Sequence, residues 1–255
     1  MTTRGGLAWQ DFLTRVRARV RRSRRQVVSG RRIGESISID RLMCPLRYDL
    51  YVRIEFVRLL REQWTMYAND LPGFLERPQS KAYYVWFKEV ACARYQRQIY
   101  ADDTLLRSAF YTRVHETARL WKSISGNGYD PSTPVRLQSG RSIRAVHGKT
   151  VNSTYFAGDG CHRVSCLYVM GHHRLEPVQY EVEFARSYQP LDNTAILIKK
   201  LPLSRTEYLH FLSRFYCEGL ELDSVDQIRQ HVASSKTTLL PELESVLAFD
   251  LDNVA

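Results

Sequence analysis

Residues 156–163 read Phe-Ala-Gly-Asp-Gly-Cys-His-Arg, and no other stretch constrains the backbone so tightly. Thr154, Tyr155 and Phe156 favour an extended chain. Gly158 and Gly160 permit a tight turn without a Cβ penalty. Downstream, residues 164–170 run to Gly171, a natural helix C-cap. The sequence therefore predicts a strand, a glycine turn and a helix. A helix that opens on such a turn presents free backbone N–H groups and the positive end of its dipole, which together receive anions, phosphate above all. The same turn carries a carboxylate (Asp159), a thiol (Cys161), an imidazole (His162) and a guanidinium (Arg163).

A chain of 255 residues with 44 % apolar side chains can bury a core and form one large domain with sizeable insertions. No apolar run reaches the roughly 18 residues needed to span a bilayer. The N-terminal stretch lacks the apolar segment of a secretory leader. Cys44, Cys92, Cys161, Cys166 and Cys217 form no Cys-x-x-Cys pair. That pattern points to a reducing cytoplasm and argues against a disulfide framework or a zinc ribbon.

The net charge of +10 is concentrated: nine arginines lie between Arg15 and Arg32, and no acid lies between Asp11 and Glu35. Residues 7–28 have helical periodicity. Leu7, Trp9, Phe12, Leu13, Val16 and Val20 fall near one face, with arginines on the other. This predicts a basic amphipathic arm over residues 1–32. Through residues 7–32 it suits the anionic inner face of a membrane. Nucleic acid is a lesser expectation, resting on phosphate-backbone contacts without sequence preference. Packing of the arm on its own domain, or a solvated basic tail, is the plainer alternative.

Further along, Glu35 to Leu42 alternates with Ile37 and Ile39 and reads as a strand, and residues 44–49 read as a turn. Residues 50–69 read as a helix with Tyr51, Ile54, Val57, Leu60 and Trp64 buried. Residues 80–125 return as aromatic-rich helices. Gly126 to Pro131 is a loop, and residues 134–140, 150–157 and 175–184 are extended. Residues 195–199 read as a late strand. Residues 204–216 form a helix with Ser204 as N-cap, and another helix lies near 224–234. Asp192-Asn193 marks a turn.

Residues 120–183 resemble the ParB/sulfiredoxin-like superfamily. The resemblance rests on Leu120-Trp121-Lys122-Ser123-Ile124, Asn127-Gly128-Tyr129 and Pro134-Val135-Arg136-Leu137. It continues through Asp159-Gly160-Cys161-His162-Arg163, Gly171 and Pro177-Val178. Ile37 to Leu42, with Pro45, looks like the first strand and box of that fold. The likeness covers about half of the chain. It implies an α+β fold, a small mixed sheet with flanking helices over residues 33–200. Residues 70–118 would be a helical insertion and residues 201–255 a helical C-terminal extension.

Three activities occur in that superfamily. Sulfiredoxins use the cysteine of a Gly-Cys-His-Arg turn, free-serine kinases carry Asp-Gly-His-His-Arg, and ParB proteins bind CTP and clamp DNA. This chain joins Asp159 of the kinase pattern to Cys161 of the sulfiredoxin pattern. The resemblance implies that Gly160, Cys161, His162 and Arg163 cradle nucleotide phosphates, with Ser123 as a further contact. It implies catalytic roles for Asp159, Asp49 and His162, with Asp159 as the ligand for Mg²⁺. Asp49 stands where serine kinases carry a glutamate, and Glu55 is a more distant substitute. Arg47 and Arg53 are either phosphate or acidic-substrate contacts or solvated surface. The expected activity is a nucleotide-dependent phosphotransferase using ATP or another nucleotide. Its acceptor is a hydroxyl on a small molecule or glycan precursor other than free serine. The alternatives are a ParB-like nucleotide-gated nucleic-acid-binding module and a sulfiredoxin-like thiol repair enzyme.

Overall fold

The strand before the glycine turn is an edge of a four-stranded mixed sheet. The computed structural model describes residues 26–139, 143–144, 149–151, 155–184 and 190–254. The strands are β1 (Gln26–Ser29), β2 (Val135–Ser139), β3 (Tyr155–Asp159) and β4 (Tyr180–Phe184), in spatial order β1-β4-β2-β3. β2 runs parallel to β4, and both outer pairings are antiparallel. Val135 and Leu137 of β2, Ala157 of β3 and Val182 of β4 are fully buried. Arg136 and Gln138 alternate onto the other face of the sheet, the period-two pattern of a half-covered strand.

The helix that packs beneath the functional turn is α1 (Tyr48–Glu62). It buries Leu50, Val52, Ile54, Phe56, Val57, Leu59 and Leu60, so more than one face is apolar. A helix clothed this widely belongs at the centre of a domain. It packs on α2 (Pro78–Trp86) and on α4 (Cys161–Val169). Between α2 and α4 in the chain lies α3 (Asp103–Asn127). Asp102 caps α3 by accepting from the N–H groups of Thr104 and Leu105, at 2.9 and 3.0 Å. Gly128, at φ +79°, ends it. Leu106, Phe110, Val114, Thr117, Ala118, Trp121 and Ile124 recur at three- and four-residue spacing and form its buried stripe. Short helical segments and a π-helical stretch, Phe87–Cys92, fill the rest of residues 70–102.

Three local expectations are corrected. Residues 26–28, placed in the helical arm by periodicity, form β1, where Val27 and Val28 pair with Glu183 and Val182 of β4. Ser29 completes β1, Gly30–Ile33 form a short helical turn, and residues 1–25 lie outside the described residues. Ile37–Ser38 is extended, but Asp40–Leu42 is a 3-10 turn rather than strand. Residues 195–199, read as a strand from their β-branched content, belong to α5 (Asn193–Ile198) and its end. Asp192 caps that helix by accepting from Ala195 N–H at 3.0 Å. The cap and the burial of Leu197 and Ile198 override strand propensity.

The C-terminal part is helical: α6 (Arg205–Tyr216), α7 (Val225–Ser235) and α8 (Leu240–Asp250). Ser204 and Glu207 make the capping box that opens α6. A buried cluster ties this part to the sheet domain. Lys149 Nζ lies 2.7 Å from Asp250 Oδ2 and 3.1 Å from Asp192 Oδ2, and all three residues are at most 2 % exposed. Tyr208 donates to Asp250 at 2.7 Å. Asp192 thus both caps α5 and joins this buried cluster. No helix among the described residues is long and apolar enough to cross a membrane.

Removing the cation of this cluster leaves two buried carboxylates without their counter-ion. Lys149→Met should therefore lower the unfolding free energy by about 3–5 kcal/mol. Urea denaturation followed by circular dichroism measures it, and an unchanged midpoint would refute the structural role.

Candidate functional site

Gly160 takes φ +82°, the left-handed region that glycine adopts without strain. It stands at the N-cap of α4 and provides no side-chain cap. The N–H groups of Cys161, His162 and Arg163 therefore begin the helix ahead of its first internal bond, which Val164 N–H makes to Gly160 O at 3.0 Å. The turn is aimed by a register shift between Arg136 and Leu137 in the β2–β3 pairing. Gly158 lies close to Gln138 and to the Arg136 carbonyl, where a Cβ would stand 3.2–3.3 Å from its neighbours. Gly160 is thus required for its left-handed backbone, while a side chain at Gly158 would press on Gln138 and the β2 backbone.

The turn opens on a cleft of about 310 Å³ lined by Arg53, Leu120 and residues 158–163. Asp159 is exposed there, and its Oδ1 accepts from Gly160 N–H at 2.6 Å. Arg163 folds back over the turn. Its guanidinium donates to the carbonyls of Thr133 and Pro134, the second at 3.2 Å, and so staples the turn to the start of β2. Part of its donor capacity is spent on the fold rather than kept for phosphate. Ser123 is exposed on α3 and does not line the cleft. The expectation of a nucleotide contact at Ser123 therefore has no support in the cleft as described.

Beneath the turn lies a buried ionic cluster. Asp49 Oδ1 receives Arg47 Nε at 2.8 Å, and Asp49 Oδ2 lies 2.8 Å from Arg53 Nη1. Asp49 is 1 % exposed and both arginines are 8 % exposed, so neither arginine is solvated surface. Burial alone would raise the Asp49 carboxyl, but Arg47 and Arg53 outweigh it and hold the group far below the usual carboxylate range. Both carboxylate oxygens are thus occupied by guanidiniums and Asp49 does not line the cleft, so the geometry gives no support to the catalytic role expected for Asp49. Glu55 pairs with Arg58 and does not line the cleft.

Arg47 also donates to the Ala157 carbonyl and to Cys161 Sγ, the latter at 3.2 Å. It thereby joins the start of α1 to β3 and to α4. Cys161 is a free, buried thiol. Arg53 lies flat over the Trp86 ring at 4.1 Å from the centroid. Its Nε is buried and has no hydrogen-bond partner among the described residues. Arg53 lines the cleft at the edge of the helix N-terminus, with this Nε buried against the protein.

His162 completes the wall. Its ring packs edge-on against Tyr83 and Trp86, and its Nε2 meets the Tyr83 hydroxyl at 2.7 Å. Burial, followed by Arg53 and Arg113, holds its imidazole well below its ordinary value. Tyr83, Trp86 and Thr117 are the residues that sequence reasoning missed. They carry no motif, and only the packing of α2 and α3 against α4 brings them to the site. Among the described residues, no group of three or more His, Cys, Asp or Glu side chains converges to hold a metal ion. One exposed carboxylate fits Mg²⁺ only in the shared mode, where phosphate oxygens and water complete the coordination. No family model, curated protein or solved structure matches this chain.

The folded chain keeps His162 neutral, while the unfolded chain protonates it near 6.5. Below that pH the unfolded state binds more protons, so stability falls as pH drops, by up to about 1.4 kcal/mol per unit for this one group. Between pH 6.5 and 5, His162→Gln should lose stability less steeply than the wild type. Equal slopes in thermal denaturation would contradict the buried, neutral assignment.

Proposed function

We propose that this chain is a nucleotide-dependent phosphotransferase of the ParB/sulfiredoxin-like kind, acting on a hydroxyl group. One observation carries the reading: a glycine-opened helix N-terminus and the buried cation of Arg53 line the same cleft. Both elements select negative charge, and phosphate satisfies both at once. Phosphoryl transfer is mostly positioning and charge neutralisation. The N–H groups of residues 161–163 hold phosphate oxygens, and Arg53 neutralises charge on the transferring group. Asp159 holds Mg²⁺ jointly with the phosphates, or orients the attacking hydroxyl. ATP or another nucleotide is the donor, and a small hydroxyl compound or glycan precursor is the acceptor. Recruitment to an anionic membrane through residues 7–32 would place the protein beside a membrane-made acceptor.

A second reading, sulfiredoxin-like thiol chemistry, is favoured by the contact between Arg47 and Cys161 Sγ at the start of α4. The two readings part at Asp159. Incubation with Mg²⁺-ATP or Mg²⁺-CTP and candidate hydroxyl acceptors, followed by mass spectrometry, separates them. Asp159→Ala should lower product formation on the order of 10²-fold or more, while Cys161→Ser retains it. Loss only in Cys161→Ser transfers the site to thiol chemistry. Tight nucleotide binding without transfer, joined to salt-sensitive DNA binding, would favour the nucleotide-gated module.

A further inference from the structure

The contacts behind His162 form a chain whose direction can be deduced. Thr117 Oγ1 lies 2.9 Å from the Arg113 carbonyl, one helical turn back on α3. A carbonyl only accepts, so the single hydroxyl proton of Thr117 is committed there. The Tyr83 hydroxyl lies 2.9 Å from Thr117 Oγ1. With the Thr117 proton used, Tyr83 must be the donor in that contact. Tyr83 then has no proton left for His162, whose Nε2 lies 2.7 Å away. That bond exists only if Nε2 carries the proton and donates it to the Tyr83 oxygen. The chain therefore reads His162 Nε2–H to Tyr83, Tyr83 O–H to Thr117, and Thr117 O–H to the Arg113 carbonyl.

The packing protects this arrangement. Tyr83 is fully buried and Thr117 is 2 % exposed. The Tyr83 ring stacks on Phe56 at 3.9 Å and 7°, and on Trp86 at 5.0 Å and 30°. Burial also keeps the Tyr83 phenol protonated. The charged groups acting on the imidazole are Arg53 of α1 and Arg113 of α3, which oppose its protonation, and Asp49 of α1, which favours it. The outcome is a neutral ring with one fixed tautomer. Its other nitrogen, Nδ1, has a lone pair and no bond to any described residue, and His162 lines the cleft.

We infer that His162 is the general base of the proposed transfer, taking the acceptor's hydroxyl proton at Nδ1, and that Tyr83 and Thr117 are positioning residues that fix its tautomer. The inference rests on the phosphotransferase reading. A lone pair repels phosphate oxygen and attracts an O–H group, so the acceptor hydroxyl is what fits against Nδ1. In the step, the hydroxyl oxygen bonds to the terminal phosphorus as its proton moves to Nδ1. The bond from phosphorus to the bridging oxygen breaks, and its electron pair leaves with the nucleoside diphosphate. The imidazolium then returns its proton to water.

Thr117 decides the matter because it does not line the cleft. In Thr117→Val the Tyr83 hydroxyl loses its acceptor and turns to donate to Nε2, which drives the ring proton to Nδ1. In Thr117→Ser the chain is restored. Nitrogen-15 NMR of histidine-labelled protein should show His162 protonated at Nε2 in the wild type and in Thr117→Ser, and at Nδ1 in Thr117→Val. A wild type protonated at Nδ1 overturns the chain. In the transfer assay, His162→Gln should lower kcat by about 10²–10⁴-fold. Thr117→Val should also lower kcat, and Thr117→Ser should recover it. Transfer that survives in His162→Gln overturns the base assignment. If that variant does not fold, full activity in Thr117→Val overturns it instead. Absence of any transfer by the wild type refutes the phosphotransferase reading and the base role with it, while the NMR result still judges the hydrogen-bond chain.

Discussion

The buried contact between Asp49 and its two arginines is the interaction on which the site depends. Asp49 lies in the first turn of α1, where a negative charge complements the helix dipole. Arg47 grips both of its oxygens, Oδ2 also lies 2.8 Å from Arg53, and each guanidinium has a second task. Arg47 reaches the end of β3 and the thiol of Cys161, so it fixes where the glycine turn sits. Arg53 is held against Trp86 with its Nε turned to no partner among the described residues. A guanidinium buried in this way is costly unless a ligand completes its hydrogen bonds. The fold therefore keeps a cation ready beside a helix N-terminus.

The second organising constraint is the placement of α2 and α3 against α4. These helices supply Leu120 to the wall of the cleft, and Tyr83, Trp86 and Thr117 behind His162. They also give His162 a neutral ring of fixed tautomer. In the proposed reading, the anion-selecting and proton-accepting groups thus come from different parts of the chain. The turn and α1 provide charge, whereas α2 and α3 provide a dry aromatic wall and a directional hydrogen-bond chain.

The strand, turn and helix around Gly158 and Gly160 were legible in the sequence, because glycine spacing and the apolar run to Gly171 leave few backbone alternatives. The helices at 204–216 and 224–234 were legible from Ser204 and from apolar periodicity. The segment 195–198 was not, since β-branched content outweighed the cap at Asp192 in a local reading. Asp49, read as a substitute for the kinase glutamate, is held between Arg47 and Arg53. The spacing of Asp49 and Arg53, four residues apart on one helix face, carried the signal of an ion pair instead. The contacts among Tyr83, Thr117 and His162 join residues up to 79 positions apart and leave no local pattern to read.

The central claim is that Arg53 and the N-terminus of α4 together bind phosphate. Calorimetric titration of Mg²⁺-ATP and Mg²⁺-CTP into the wild type and into Arg53→Gln tests it most directly. In that variant Asp49 keeps Arg47, so the fold retains a counter-ion for its buried carboxylate. The account predicts nucleotide binding by the wild type, weakened by about 10-fold or more in Arg53→Gln as a charge-assisted hydrogen bond is lost. Equal affinity in the two proteins, or no binding by the wild type, would contradict it.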